Sequence, residues 1–176
     1  MKPLSLKMRA ISLLSQREHS VLELRRKLLR LAREAQRKAA AASVDAGRDD
    51  APDLALEVDE LLAWLQAQGY LDETRFVESR VHAREQRFGG LRIKQELAQH
   101  GLVLSAEGQA ALKATELERA QALWQRKFHG VAAADLAGQA KQSRFLMARG
   151  FAPDVIRRIL RAPAAADEAS SPMASA

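Results

Sequence analysis

The stretch SVLELRRKLLRLAREAQR, from Ser20 to Arg37, carries the reading of the fold. Ser20 followed by Glu23 has the S-x-x-E spacing of a capping box, which satisfies backbone donors that a first helical turn leaves free. Val21, Leu24, Leu28, Leu31 and Ala35 recur at helical spacing and make one apolar stripe. By the same arithmetic Arg26, Arg30, Arg33 and Arg37 fall on the opposite face. An apolar stripe at this period needs a partner, and the segment before it supplies one. Leu4, Met8, Ile11 and Leu14 lie on one side of a helix expected over roughly Ser5 to Gln16.

The rest of the chain repeats this pattern. No run of alternating β-branched residues occurs, while Ala, Leu, Arg, Gln and Glu dominate, residues that lose little rotamer freedom in a helix. Val58, Leu61, Leu62 and Leu65 define a third helix, stopped at Gly69. Asp72 caps a fourth that runs to about Arg87, where Gly89-Gly90 breaks it. A short helix follows from Leu91 to Gly101, and Ser105 caps another. Thr115 and Glu118 repeat the capping-box spacing ahead of Leu117, Ala120, Trp124 and Phe128. Helices over roughly Ala133 to Ala148 and Pro153 to Arg161 close the ordered part.

These are about nine helices, and they read as three tandem three-helix repeats. Ile93, Leu97 and Gly101-Leu102 align without gaps on Gln142, Leu146 and Gly150-Phe151. The expected units are 4–71, with a charged insertion at about 32–56, then 72–114 and 115–161, before a disordered tail over 162–176. Each unit is too small to bury a full core alone. The expected fold class is therefore all-α, an elongated, curved array.

The 176 residues carry a net charge of +6 that is unevenly laid out. Met1 to Ala42 carries +8, Ser43 to Glu73 carries −8, Thr74 to Ala114 carries +3, Thr115 to Arg161 carries +5 and the tail −2. A basic chain broken by one acidic block suits a polyanion-binding surface. The absence of cysteine excludes disulfides and thiolate chemistry and fits a reducing compartment. No stretch of about 18 apolar residues exists to span a membrane. MKPLSLKMRA lacks the apolar core of a secretory leader, so a cytoplasmic protein is expected.

No phosphate loop, dinucleotide fingerprint, H-E-x-x-H or G-x-S-x-G motif is present, and no enzyme is expected. His19, His82, His100 and His129 stand too far apart for metal-ligand spacing, so structural roles are the better reading. Asp49, Asp50 and Asp53 lack the spacing of a calcium loop. Neither a metal nor a cofactor is expected. Gly89-Gly90 reads as a helix joint, with backbone approach to a polyanion as the alternative.

The arginines are the candidate site. Arg26, Arg30 and Arg33 belong to the first stripe. Arg80, Arg84 and Arg87 lie within about 60° of arc on a helix, on the side that also holds Phe76. Guanidinium groups there either ion-pair or face a groove that receives phosphate or carboxylate. Arg92 and Lys94 follow, and the last unit adds Arg144, Arg149, Arg157 and Arg158. Arginine binds such groups in bidentate fashion. Eight aromatics in the whole chain argue against base stacking as the mode of recognition.

Arg17-Glu18-His19-Ser20 with Glu23-Leu24 and Lys27-Leu28 resembles the REHSxxELxxKL opening of the bacterial RecX family of recombination regulators. Gly69-Tyr70-Leu71-Asp72-Glu73 with Arg75-Phe76 resembles its GYLDDxRF signature, Glu73 standing where the family often has a second Asp. Gly90, Arg92-Ile93, Glu96-Leu97 and Gly101 resemble its G-x-RI-x-x-EL-x-x-x-G stretch, and Arg144-Phe145-Leu146 with Arg149-Gly150-Phe151 its RFLxxRGF close. The motifs stand in family order from about Ala10 to Leu160, and the insertion between about Ala32 and Leu56 is longer than their spacing leads one to expect.

The resemblance implies a monomeric modulator of the RecA recombinase in DNA repair and the SOS response. Such a protein binds the recombinase's single-stranded-DNA filament and inhibits its extension, ATP hydrolysis and strand exchange. Its arginines would contact single-stranded and duplex phosphates as well as protein. The alternative is a DNA-binding module of helix-turn-helix-like units without a recombinase partner.

Overall fold

The computed structural model describes residues 5–42 and 53–161. Residues 1–4, with Leu4, the tail over 162–176 and the 43–52 part of the insertion, with Asp49 and Asp50, lie outside the described residues. Among the described residues there are nine helices and no strand: α1 (Leu6–Leu14), α2 (Val21–Ala42), α3 (Leu54–Ala67), α4 (Glu73–Glu85), α5 (Gly90–Ala98), α6 (Ala106–Ala114), α7 (Glu116–Phe128), α8 (Leu136–Ala148) and α9 (Pro153–Arg161). The all-α class is the one the sequence implies.

Helix starts follow the capping residues. Ser5, Asp53, Ser105 and Asp135 each accept a bond from a backbone N–H of the turn they open. The Ser20 half of the first capping box forms, with Glu23 N donating to Ser20 Oγ at 3.1 Å. The reciprocal half is absent, because the Glu23 carboxylate is taken by Arg17 and Lys27. The second expected box is not a box. Thr115 makes no side-chain cap bond and sits in a helical conformation, ending α6 as α7 begins. Its hydroxyl accepts from Arg119 Nε at 3.1 Å instead.

Helix ends repeat one device three times. Gly69, Gly101 and Gly150 all take positive φ, between 70° and 77°. In each case the next residue's N–H reaches back five positions: Tyr70 to Leu65 O, Leu102 to Leu97 O and Phe151 to Leu146 O. This is the hydrogen bond of a Schellman stop. The three leucines that accept are fully buried. The repeat is thus an L-x-x-x-G stop that pins a buried leucine to a left-handed turn.

The chain forms two compact units, Met1–Arg80 with Leu97–Leu102, and Val81–Glu96 with Val103–Ala176. In the first, α2 packs on α1 and α3 around Ala10, Leu24, Leu28, Val58, Leu62, Leu65 and Leu71. In the second, α7, α8 and α9 enclose Ala120, Leu123, Trp124, Leu146, Phe151, Val155, Ile156 and Ile159. Each fully buried leucine of this kind contributes about 1.5–3 kcal/mol. Gln142 occupies the place of Ile93 in the aligned repeat, yet it is buried. Its amide accepts from Trp124 Nε1 at 3.2 Å and donates to Val131 O at 2.8 Å, so a polar side chain fills a core position with its bonds made.

Candidate nucleic-acid interface

The second unit builds its basic surface from a helix joint. Four residues separate α4 from α5, and each end of the Phe88–Leu91 run is held. Arg119 of α7 donates to Phe88 O at 2.9 Å, Glu85 O at 2.6 Å and Leu112 O at 2.8 Å. Burial holds its pKa below the ordinary arginine value, against the opposing charges of Glu116 and Glu85. One turn earlier, the buried Glu116 accepts from Gly90 N at 2.9 Å. Gly89 N donates to Arg149 O at 2.9 Å and Leu91 N to Gly150 O at 3.1 Å.

These bonds settle the Gly89-Gly90 question. The N–H groups that could have cradled a phosphate are spent on a carboxylate and two carbonyls of the same unit. The run is a joint, not a phosphate loop. Gly89 is required by proximity, since a Cβ there would lie 2.3 Å from Gly150 O; facing it, a Cβ on Gly150 would lie 2.5 Å from Arg92 Cβ.

With its carbonyl anchored, the half-exposed Phe88 ring becomes a platform for cations. The guanidinium carbons of Arg92, Arg84 and Arg87 stand 4.7, 5.5 and 5.9 Å from its centroid. Arg149 stands 4.6 Å from the Phe145 ring, which meets Phe128 edge-on at 5.3 Å. Arg149 Nη1 also donates to Arg87 O at 3.4 Å, and Arg92 Nη1 to Ala148 O at 3.2 Å. Cation–π contact holds a guanidinium over an aromatic ring at modest energetic gain while its N–H groups remain donors. Glu96 is the one carboxylate paired with this group among the described residues, 3.0 Å from Arg84 Nε and 3.6 Å from Arg92 Nε. Four positive charges are thus opposed by one negative charge.

The other expected site residues are placed as follows. In the first unit, Arg26, Arg30 and Arg33 line a shallow groove on α2 with Leu29, Gln36 and Arg37. Arg30 pairs with Glu34 at 3.8 Å. Arg80 lies over Phe76 at 5.2 Å, within that same unit. In the second unit Lys94 donates to Gln109 Oε1 at 3.0 Å, and Arg144 is exposed on α8. Arg157 and Arg158 line an open depression on α9 with Arg161 and Asp154. Phe88, Arg119 and Glu116 were not singled out by sequence reasoning. A phenylalanine with arginines four residues before, one before and four after it is the signal that could have found Phe88.

The first unit carries a second polar cluster, at the start of α2. His19 and Ser20 are buried. Ser20 Oγ is 2.8 Å from His100 Nδ1, and the His100 ring packs on Phe76 at 5.0 Å. Burial first, then the charge of Arg80, push the His100 pKa down and favour the neutral ring, which shares a hydrogen bond with the Ser20 hydroxyl. Burial and Arg17 likewise lower His19, whose Nδ1 lies 3.3 Å from Glu23 Oε2 without the alignment of a hydrogen bond. Burial opposes ionisation of Glu23, but the bonds and charge of Arg17 and the nearby His19 outweigh it and hold its pKa at about 2. Among the described residues no group of three His, Asp or Glu could hold a metal ion, and no helix is long and apolar enough to cross a membrane.

The chain is thus an all-α protein whose helices end in Schellman stops and whose second unit gathers arginines around two half-exposed aromatic rings. The comparisons identify which kind. The family model described as "RecX, second three-helix domain" matches residues 72–102, and "RecX, third three-helix domain" matches 114–160. The chain is 46% identical to the regulatory protein RecX of Ralstonia pickettii, over 95% of this chain and 91% of that protein. It is 45% identical to that of Leptothrix cholodnii, over 90% and 88%. A crystal structure of RecX from Lactobacillus salivarius shares the fold at a TM-score of 0.59 and 19% identity, covering 88% of this chain and 92% of that one. The chain belongs to the RecX family, a family of regulatory proteins rather than an enzyme class.

Proposed function

We propose that this chain binds the RecA recombinase on its single-stranded-DNA filament and lowers filament extension, ATP hydrolysis and strand exchange. The observation that carries the reading is the grouping of Arg84, Arg87, Arg92 and Arg149 on the Phe88 and Phe145 rings. Such a group offers donor edges to phosphate oxygens or to carboxylates, and both line a nucleoprotein filament. The groove arginines Arg26, Arg30 and Arg33 and the α9 pair Arg157 and Arg158 would add phosphate or carboxylate contacts of the same kind.

Titration of the chain into preformed filament while ATP hydrolysis is recorded tests this. A filament regulator suppresses hydrolysis at concentrations well below those that bind bare single strands. If suppression begins only where bare-DNA binding begins, the chain acts by competing for DNA and the recombinase is not its partner.

A further inference from the structure

Glu96 is unexplained by a purely phosphate-binding surface. It is half-buried, stands between Arg84 and Arg92 of the basic cluster, and aims one oxygen at each of them. Its part in the fold is modest: Arg92 to Glu96 is an i,i+4 pair, worth a few tenths of a kcal/mol, and the part-exposed Arg84–Glu96 pair between α4 and α5 belongs to a class worth about 0–1 kcal/mol. Its electrostatic part is not modest. A phosphate that approaches Arg84 and Arg92 meets a carboxylate already holding their Nε atoms, and must displace it or share them. Arg87 and Arg149 carry no such competitor, since their guanidinium partners are aromatic rings and, for Arg149, the Arg87 carbonyl.

We infer that Glu96 is a specificity-determining residue that keeps affinity for bare nucleic-acid backbone low, by competing with phosphate for Arg84 and Arg92. The inference rests on the reading of this cluster as the filament-binding surface, and it divides the four arginines by role. Arg87 and Arg149 are open to any phosphodiester. Arg84 and Arg92 are released only to a ligand that also compensates Glu96, such as a protein surface that offers a lysine or arginine beside the DNA. A carboxylate inside a basic site is repulsion against the simpler ligand, and discrimination is gained at the cost of raw affinity. Glu96 is the acidic residue of the Glu96-Leu97 motif pair, in which Leu97 is fully buried and Glu96 faces the arginines.

The test measures binding of a fluorescent oligo-dT by wild type and Glu96→Gln across a salt series. Glu96→Gln is expected to bind about threefold to tenfold more tightly near 0.1 M salt. The slope of log affinity against log salt should steepen by about 0.7 to 1.4, as one or two more phosphates are neutralised on a single strand. A structural role would not steepen that slope. Glu96→Ala, which also removes the charge, should do the same, and thermal melts of both variants establish that they fold. Unchanged or weaker binding with an unchanged slope in both folded variants overturns the inference. Arg87→Glu and Arg149→Gln, run in parallel, separate the two possible failures. If they weaken oligo-dT binding while neither Glu96 variant tightens it, only the role of Glu96 falls. If they too leave binding unchanged, the cluster is not the binding surface.

Discussion

Replacing Arg119 by methionine should remove the anchor on which the basic cluster is built. The guanidinium makes four hydrogen bonds, three to carbonyls at 2.6, 2.9 and 2.8 Å and one to the Thr115 hydroxyl at 3.1 Å. Hydrogen bonds involving a charged group contribute about 1.5–3 kcal/mol each, so the three carbonyl bonds alone amount to roughly 4.5–9 kcal/mol. Against this stands the cost of burying the guanidinium, several kcal/mol per ion in real proteins. The methionine side chain retains much of the packing volume but satisfies none of the carbonyls. The net loss should be about 2–4 kcal/mol. For a chain of this size that lowers Tm by roughly 5–15 °C. Urea denaturation followed by circular dichroism should show a lower midpoint at unchanged slope. Because Arg119 holds Phe88 O, the same variant should also weaken binding of single-stranded DNA while it is still folded. A loss below about 0.5 kcal/mol, the range of an ordinary surface change, would refute the argument that these carbonyls depend on Arg119.

Other consequences follow from the close approaches and the buried histidines. Gly89→Ala should destabilise by about 2 kcal/mol or more, because its Cβ would meet backbone oxygen at 2.3 Å; a melt indistinguishable from wild type would mean the α4–α5 and α8–α9 joints part easily. Ser20→Ala should cost about 1–2 kcal/mol, through loss of both the α2 cap and the His100 contact, read as a lower urea midpoint. The folded pKa values of His19 and His100 lie below 6.5, so the unfolded chain takes up more protons as pH falls through that value. Their stabilising contribution is complete above pH 6.5 and is lost as pH drops towards their folded values. The Glu23 contribution persists to lower pH and is lost between 4.5 and about 2. Tm should therefore fall from pH 7.5 to pH 5.5, and less so in His100→Gln; equal pH dependence in the two proteins would contradict the role given to His100.

Sequence periodicity located the helices well because most of their boundaries are set locally. Ser5, Asp53, Ser105 and Asp135 act through bonds two or three residues away, and the L-x-x-x-G stops act through five. Thr115 misled because its hydroxyl has a better use four residues on, at Arg119, than at the cap. The arginines were visible as types and spacings, but their partners were not. Arg84 meets Glu96 across twelve positions, and Arg149 meets the Arg87 carbonyl across sixty-two. No helical wheel contains such pairs. Phe88 escaped notice for a related reason. It lies in the joint beyond α4, where helical periodicity no longer assigns a face.

The central claim is that this family member acts on the recombinase filament through the arginines gathered on Phe88 and Phe145. Arg87 is the sharpest probe, since it is exposed and has no ion-pair partner among the described residues, so reversing its charge should change stability by no more than about 0.5 kcal/mol. The decisive measurement is RecA ATP hydrolysis on single-stranded DNA, titrated with wild type and with Arg87→Glu. The account predicts that wild type suppresses hydrolysis and that the folded variant needs at least about tenfold more protein, a loss of roughly 1.4 kcal/mol. Equal suppression by the two proteins would contradict it.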